Sequence, residues 1–119
     1  MKKTVPLKSG GFKKVYNNGK SYADRLVVII CLKNNTPLNS LGIVASKKVG
    51  KSIVRNKARR RIREVYRIYE DCFHPGYDIV IIARASIVTS EYSQIQTSIL
   101  KLMKKHGILK DVPAGEKIV

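Results

Sequence analysis

The sequence predicts an α/β (α+β) fold, a two-layer sandwich in which a central sheet carries helices packed on it. Three observations predict it. Short β-rich apolar runs at residues 25–32, 41–46 and 77–83 are bounded by turn-forming residues. Between and after them lie segments whose apolar residues recur at helical spacing. The resulting order, α-β-β-α-β-α, interleaves strands with helices instead of segregating them. The 119 residues are expected to form one domain, 1–119, able to bury about two-thirds of its unfolded surface.

In chain order, residues 1–8 read as a loose basic lead. Ser9 is the expected cap of a short helix in which Phe12, Val15 and Tyr16 share one face, ending at Asn17-Asn18-Gly19. The run 25–32 is a buried strand, and Asn34-Asn35-Thr36-Pro37 marks the loop after it. The run 41–46 is a second strand, expected to pair with the first as a hairpin. Residues 47–51 lead into a central helix with Ser52 as its expected N-cap, ending near His74-Pro75-Gly76. Residues 77–83 form a third strand. Ser90 then caps a last helix with Tyr92, Ile95, Ile99, Leu102 and Met103 inward, stopped by Gly107. The tail, about 111–119, reads as frayed.

The central helix carries the chemistry. Val54, Ala58, Ile62, Val65, Tyr66 and Tyr69 recur on one face, within an arc of roughly 120° at 100° per residue. Arg55, Arg59, Arg63, Asn56, Arg67 and Arg60 fill the adjoining arc, and Lys57 and Arg61 lie on the other flank. With Lys47, Lys48 and Lys51 just upstream, these cations face the single acid Glu64. A solvated helix face usually mixes signs. Here like charges stand at i, i+4 and i+8, each pair mildly destabilising, which an anionic partner would relieve. Arginine's planar fork suits phosphate oxygens. The helix reads as a phosphate-backbone binder.

Composition points the same way. The net charge is +16, from 24 Lys and Arg against 8 Asp and Glu, which implies a polyanionic partner, nucleic acid before membrane. No apolar run approaches the roughly 20 residues of a membrane span, and Met1-Lys2-Lys3-Thr4-Val5-Pro6 lacks a signal peptide's apolar core. A cytoplasmic protein is expected, with no membrane association and no protein partner evident. Cys31 and Cys72 read as buried thiols, not a disulfide. Gly50-Lys51-Ser52 has the end of a P-loop, but position 45 is Ala where the motif needs its first Gly. His74 and His106 are isolated, and Asp24, Asp71 and Asp78 fall at element edges. No metal ligand set, paired carboxylates or nucleophile-base pair stands out. Phe12 and Tyr16 are either ordinary core residues or the wall of a groove that stacks unpaired bases.

The run Ser46-Lys47-Lys48-Val49-Gly50-Lys51, followed by Arg55-Asn56-Lys57, Arg59-Arg60 and Arg63-Glu64, closely resembles the signature of the bacterial ribonuclease P protein component. The resemblance extends to Leu7-Lys8, Phe12, Val15-Tyr16, Gly19 and Ser21, and to residues 77–84, covering about residues 7–105. It implies a small basic subunit of a ribonucleoprotein endoribonuclease that removes the 5′ leader of precursor tRNA. In that family the catalytic RNA and its bound Mg²⁺ perform the hydrolysis, and the protein contributes leader affinity and helps productive metal binding. No catalytic residue is then expected in this chain. Carried over, Lys47, Lys48, Lys51, Arg55, Asn56, Lys57, Arg59, Arg60, Arg63 and Arg67 are expected to contact the catalytic RNA. Phe12, Lys13 and Tyr16 are expected at the leader, in a cleft between the first helix, the sheet and the central helix. The resemblance also implies a left-handed crossover around the central helix, against the general rule. Lys57 stands where the family usually has Arg, so a forked contact becomes a point charge. Ile30 stands where members often carry an aromatic, which leaves stacking from that strand open. The rival reading is a ribosomal or ribosome-assembly protein that binds structured RNA and has no part in tRNA processing.

Overall fold

Alternation along the strands decides the architecture, because successive side chains point to opposite faces of a sheet and here both faces are apolar. The computed structural model describes residues 4–110. Along the chain come β1 (Thr4–Pro6), α1 (Ser9–Asn18), β2 (Lys20–Ala23), β3 (Val27–Lys33), β4 (Asn39–Ala45), α2 (Ser52–Tyr69), β5 (Tyr77–Ala83) and α3 (Tyr92–Lys105). The strands form one five-stranded sheet in the order β1-β4-β5-β3-β2. β5 runs parallel to β4 and antiparallel to β3, with Ile81 opposite both Ile43 and Ile29. β1 adds to β4 in parallel, and β2 to β3 antiparallel.

Val27, Ile29 and Cys31 of β3, with Ile79, Ile81 and Ala83 of β5, enter one core. That core also takes Ala58, Ile62, Val65, Tyr66 and Tyr69 from α2 and Ile95, Ile99, Leu102 and Met103 from α3. Ile30 and Val80 point to the other face and meet Val15 of α1. Phe12, Val28, Leu32, Val44 and Ile82 pack around those three, only partly buried. Glycine matters at two places. A Cβ on Gly42 would fall 2.4 Å from the Phe12 ring, so the bare backbone is what lets that ring lie on β4. Gly107, at φ +78°, turns the chain out of α3 as the helix-stop reading expected.

The mixed α/β class stands, with helices packed on a central sheet, but several details differ. α1 covers the opposite face from α2 and α3, so the layers number three, not two. Thr4–Pro6, expected within a loose lead, is a strand, held further by the Leu7 amide donating to the Leu41 carbonyl at 3.0 Å. β2 was not expected at all; the Asp24 carboxylate accepts from the Leu26 and Val27 amides and turns it into β3. β3 and β4 do not form a hairpin, because β5 lies between them. α2 ends at Tyr69, short of His74, and a 3-10 turn, Glu70–Cys72, completes the descent.

The expected caps each shift by one position. Lys8, Lys51 and Glu91 are the N-caps, in place of Ser9, Ser52 and Ser90. At α3 the Glu91 and Gln94 side chains close a capping box, and the Ser90 hydroxyl instead donates to the Ile87 carbonyl at 2.7 Å. The expected frayed tail lies outside the described residues.

Candidate nucleic-acid interface

α2 forms because its apolar stripe has a sheet to pack on, and that packing fixes which cations face outward. Ala58, Ile62, Val65, Tyr66 and Tyr69 are buried as the spacing predicts, while Val54 is half-buried. Lys47, Lys48, Lys51, Asn56, Lys57, Arg60, Arg63 and Arg67 are exposed, and Arg55 and Arg59 are half-buried. Two of these arginines are steered by neighbours one turn back. Arg55 Nη2 donates to Ser52 Oγ at 3.2 Å, and Arg59 Nη2 donates to Asn56 Oδ1. Asn56 thus orients a guanidinium as well as offering its own amide. Arg67 sits in the last turn, where the helix dipole favours a cation. Arg61 does different work: its Nη2 donates to the Ser90 carbonyl at 2.9 Å and ties α2 to the approach to α3.

On the other face, α1 presents Phe12 and Tyr16 with ring centroids 6.4 Å apart. They are not equivalent. Phe12 is half-buried over Gly42, while Tyr16 is 47% exposed. Lys13 between them is exposed, and Val15 alone is fully buried. Beside these aromatics the half-buried Val28, Val44 and Ile82 continue an apolar floor. Ile30, at 8% exposure, lies under α1 in contact with Val15 and Val80, so it offers no open stacking surface.

The expected site residues therefore fall into two groups on opposite faces. The lining of the α1 groove comes from α1 and the sheet, with α2 behind the sheet. β4 connects them, with Gly42 and Val44 toward α1, Leu41 and Ile43 toward α2, and Lys47 and Lys48 in the loop that follows. The sequence reading missed Val28, Val44 and Ile82 as groove floor; their signal was the consecutive apolar residues at 26–32, 43–45 and 79–83, the mark of a sheet covered on both sides.

A cleft of about 340 Å³ lies along the outer side of α2, lined by Thr4, Val5, Pro6, Leu41, Ile43, Arg63, Tyr66, Arg67 and Glu70. The Tyr66 hydroxyl is within 2.9 Å of Thr4 Oγ1, and burial holds its phenol above the ordinary pKa, as a neutral hydroxyl. Elsewhere burial pushes the Cys31 thiol up to about 12, which removes it as a nucleophile at neutral pH. Burial lowers the His106 pKa, and its Nε2–H donates to the Ile29 carbonyl at 2.7 Å. The imidazole meets Tyr22 edge-on at 4.7 Å, with Lys20 and Lys105 over the Tyr22 ring. Among the described residues, no three His, Cys, Asp or Glu side chains are grouped to hold a metal ion. No helix among them is long and apolar enough to cross a membrane.

A family model described as Ribonuclease P matches residues 1–107. The chain is 43% identical over 109 residues to a ribonuclease P protein component of Clostridium botulinum, covering 91% of this chain and 98% of that one. It is 46% identical over 102 residues to a counterpart in Clostridioides difficile, covering 85% and 90%. Among solved structures it is similar to the Staphylococcus aureus RNase P protein, with a TM-score of 0.78 at 30% identity over 92% of this chain and all of that one. The Thermotoga maritima RNase P protein gives a TM-score of 0.77 at 29% identity, over 87% and 97%.

Proposed function

The chain belongs to the ribonuclease P protein family, and from that premise we propose how its two faces serve the 5′ maturation of tRNA. As the protein component of an endoribonuclease, it binds the catalytic RNA through α2 and the preceding loop. Lys47, Lys48, Lys51, Arg55, Lys57, Arg59, Arg60, Arg63 and Arg67 neutralise phosphates there, and Asn56 aims Arg59. The 5′ leader of precursor tRNA lies in the α1 groove, stacked on Phe12 and Tyr16 with Lys13 at a phosphate. The hydrolytic centre would lie in the partner RNA, with Mg²⁺ bound mainly by that RNA, and this chain's residues hold the RNA and the leader in place. The protein works where that RNA works, in the cytoplasm. The family match does not favour a ribosomal or ribosome-assembly role.

One observation carries the reading: a helix whose outward face repeats arginine at i, i+4, i+8 and i+12 repels itself until polyanion covers it. Reconstitution tests it. The protein, mixed with a bacterial ribonuclease P RNA at low Mg²⁺, should accelerate leader removal, and alone it should cut nothing. Site-specific cleavage of precursor tRNA by the RNA-free protein overturns the assignment.

A further inference from the structure

The cleft beside α2 has the composition of a base pocket, and we propose that it receives one unpaired nucleotide of the partner RNA, with preference for a base that carries an amino group. This rests on the reading of α2 as the RNA-binding face. Four residues one turn apart on the helix side, Arg63, Tyr66, Arg67 and Glu70, make one wall. Thr4, Val5 and Pro6 of the edge strand make the other, and Leu41 and Ile43 make the floor. At about 340 Å³ it lies at the low end of ligand pockets, a space for one nucleotide and little more.

The division of polar and apolar groups matches a nucleotide. Val5, Pro6, Leu41 and Ile43 give a base an apolar seat, the kind of surface that holds a splayed-out base in single-stranded RNA. Arg63 and Arg67 stand exposed at the rim, where the phosphates on either side of that base would pass. The Tyr66 hydroxyl is already engaged with Thr4, so it braces the walls together and leaves recognition to other groups.

Glu70 is the telling residue. It is the C-cap of α2, at the negative end of an 18-residue helix dipole, in a chain with a net charge of +16 that must approach phosphate. The chain's own cations attract a carboxylate, but the dipole's negative end and an approaching phosphate both disfavour one there. Among the described residues no ion pair ties its carboxylate to Arg63 or Arg67. A carboxylate only accepts hydrogen bonds, and amino-bearing bases offer donors, as when Glu or Asp accepts from cytosine N4. Adenine, cytosine and guanine carry such an amino group. Uracil has no amino group, and its single N3–H donor is flanked by two carbonyl oxygens that repel a carboxylate, so it binds more weakly.

The test uses the full chain and the four nucleoside monophosphates. Methyl signals of Leu41 and Ile43 are followed by NMR as AMP, CMP, GMP or UMP is added at low salt, with inorganic phosphate as control. At least one amino-bearing nucleotide should shift both methyls with an affinity about fivefold or more above that of UMP, the lower end of what one such base contact confers. Glu70→Gln, whose amide both donates and accepts, should bring UMP within twofold of the others without unfolding the protein. Shifts reproduced by phosphate alone, silent cleft methyls, or unchanged discrimination in Glu70→Gln overturn the pocket. Assembly with the catalytic RNA, measured on wild type and Arg59→Ala in parallel, separates the two ideas. If Arg59→Ala weakens assembly while the cleft stays silent, α2 keeps its role and the base pocket alone is lost. If wild type does not assemble, the RNA reading falls and the pocket falls with it.

Discussion

The two faces of the sheet are both apolar, yet they are finished differently. Under α2 and α3 the central side chains vanish from solvent: Ile29, Ile79 and Ile81 of the strands and Ile62, Ile95 and Ile99 of the helices are all at 0% exposure. Leu41 and Ile43, toward the edge strand, stay half-buried. Under α1 only Val15, Ile30 and Val80 are buried, and Val28, Leu32, Val44 and Ile82 remain partly open around them. A ten-residue helix cannot roof a five-stranded sheet. The closed face holds the protein together, and the half-roofed face leaves apolar surface where an aromatic pair can meet a ligand. Uncovered apolar area beside a basic rim costs stability and is retained where it binds something.

That contrast can be broken most directly from the closed side. Ile81→Ala should destabilise the fold by about 2–5 kcal/mol, the range for deleting a fully buried aliphatic side chain. Ile82→Ala, one residue on and facing α1, should cost clearly less. Urea unfolding of the two variants compares the faces at adjacent positions, and equal losses would erase the distinction. Phe12→Ala tests what the open face does. As a groove wall it should weaken precursor tRNA binding about five- to a hundredfold, from roughly 1–3 kcal/mol of stacking per base. Mature tRNA, which lacks the leader, should bind almost as before. Equal weakening for both ligands, or an unfolded variant, would return Phe12 to the core.

Gly42→Ala sharpens the same point. The added methyl would collide with the Phe12 ring, so about 1–3 kcal/mol of stability should be lost as the ring is displaced. In the Phe12→Ala background the same change should cost much less, since the ring is gone and only Leu7 Cδ2, at 3.3 Å, stays close. A double-mutant cycle with additive costs would show that the ring does not rest on β4.

The smallest effect belongs to the rim of the closed face. Burial lowers the His106 pKa in the folded protein. The unfolded chain then binds the proton more readily, so stability falls as pH drops through about 6.5 toward the folded value. Denaturation curves should show this loss between neutral and mildly acidic pH, and His106→Gln should flatten it. An unchanged slope in the variant would assign the loss to other groups.

How far these features could be read from the chain depends on the range of the interaction. The α2 stripe was legible because helix periodicity is local: Ala58, Ile62, Val65 and Tyr66 lie where the 3.6-residue spacing puts them. Arg61 shows the limit, since the Ser90 carbonyl that claims it lies 29 residues away. β1 escaped because Thr4-Val5-Pro6 is three residues long and ends in proline, a pattern that only an edge position supports. β2 escaped because Lys-Ser-Tyr-Ala has no apolar alternation, its one half-buried ring being Tyr22. The expected hairpin failed for a topological reason. Two strands joined by a short turn are neighbours by default, and nothing between residues 33 and 39 announces that a third will part them. The candidate RNA residues were legible through motif and charge, while the groove floor and the α2 cleft required the sheet.

β5 is the last strand to be synthesised and the middle one of the sheet. Until residues 77–83 are available, β3 has only β2 beside it and β4 only β1, two fragments with open inner edges. The chain therefore has no early-folding N-terminal half: its pairings span long sequence separations, the condition for slow closure and for transient exposure of strand edges. During translation the cationic helix is complete before the sheet that supports it. Stalled nascent chains ending before Tyr77 should stay open to protease, and those in which β5 and α3 have cleared the exit tunnel should resist it. Protection that appears before β5 emerges would show that the two fragments fold without their keystone.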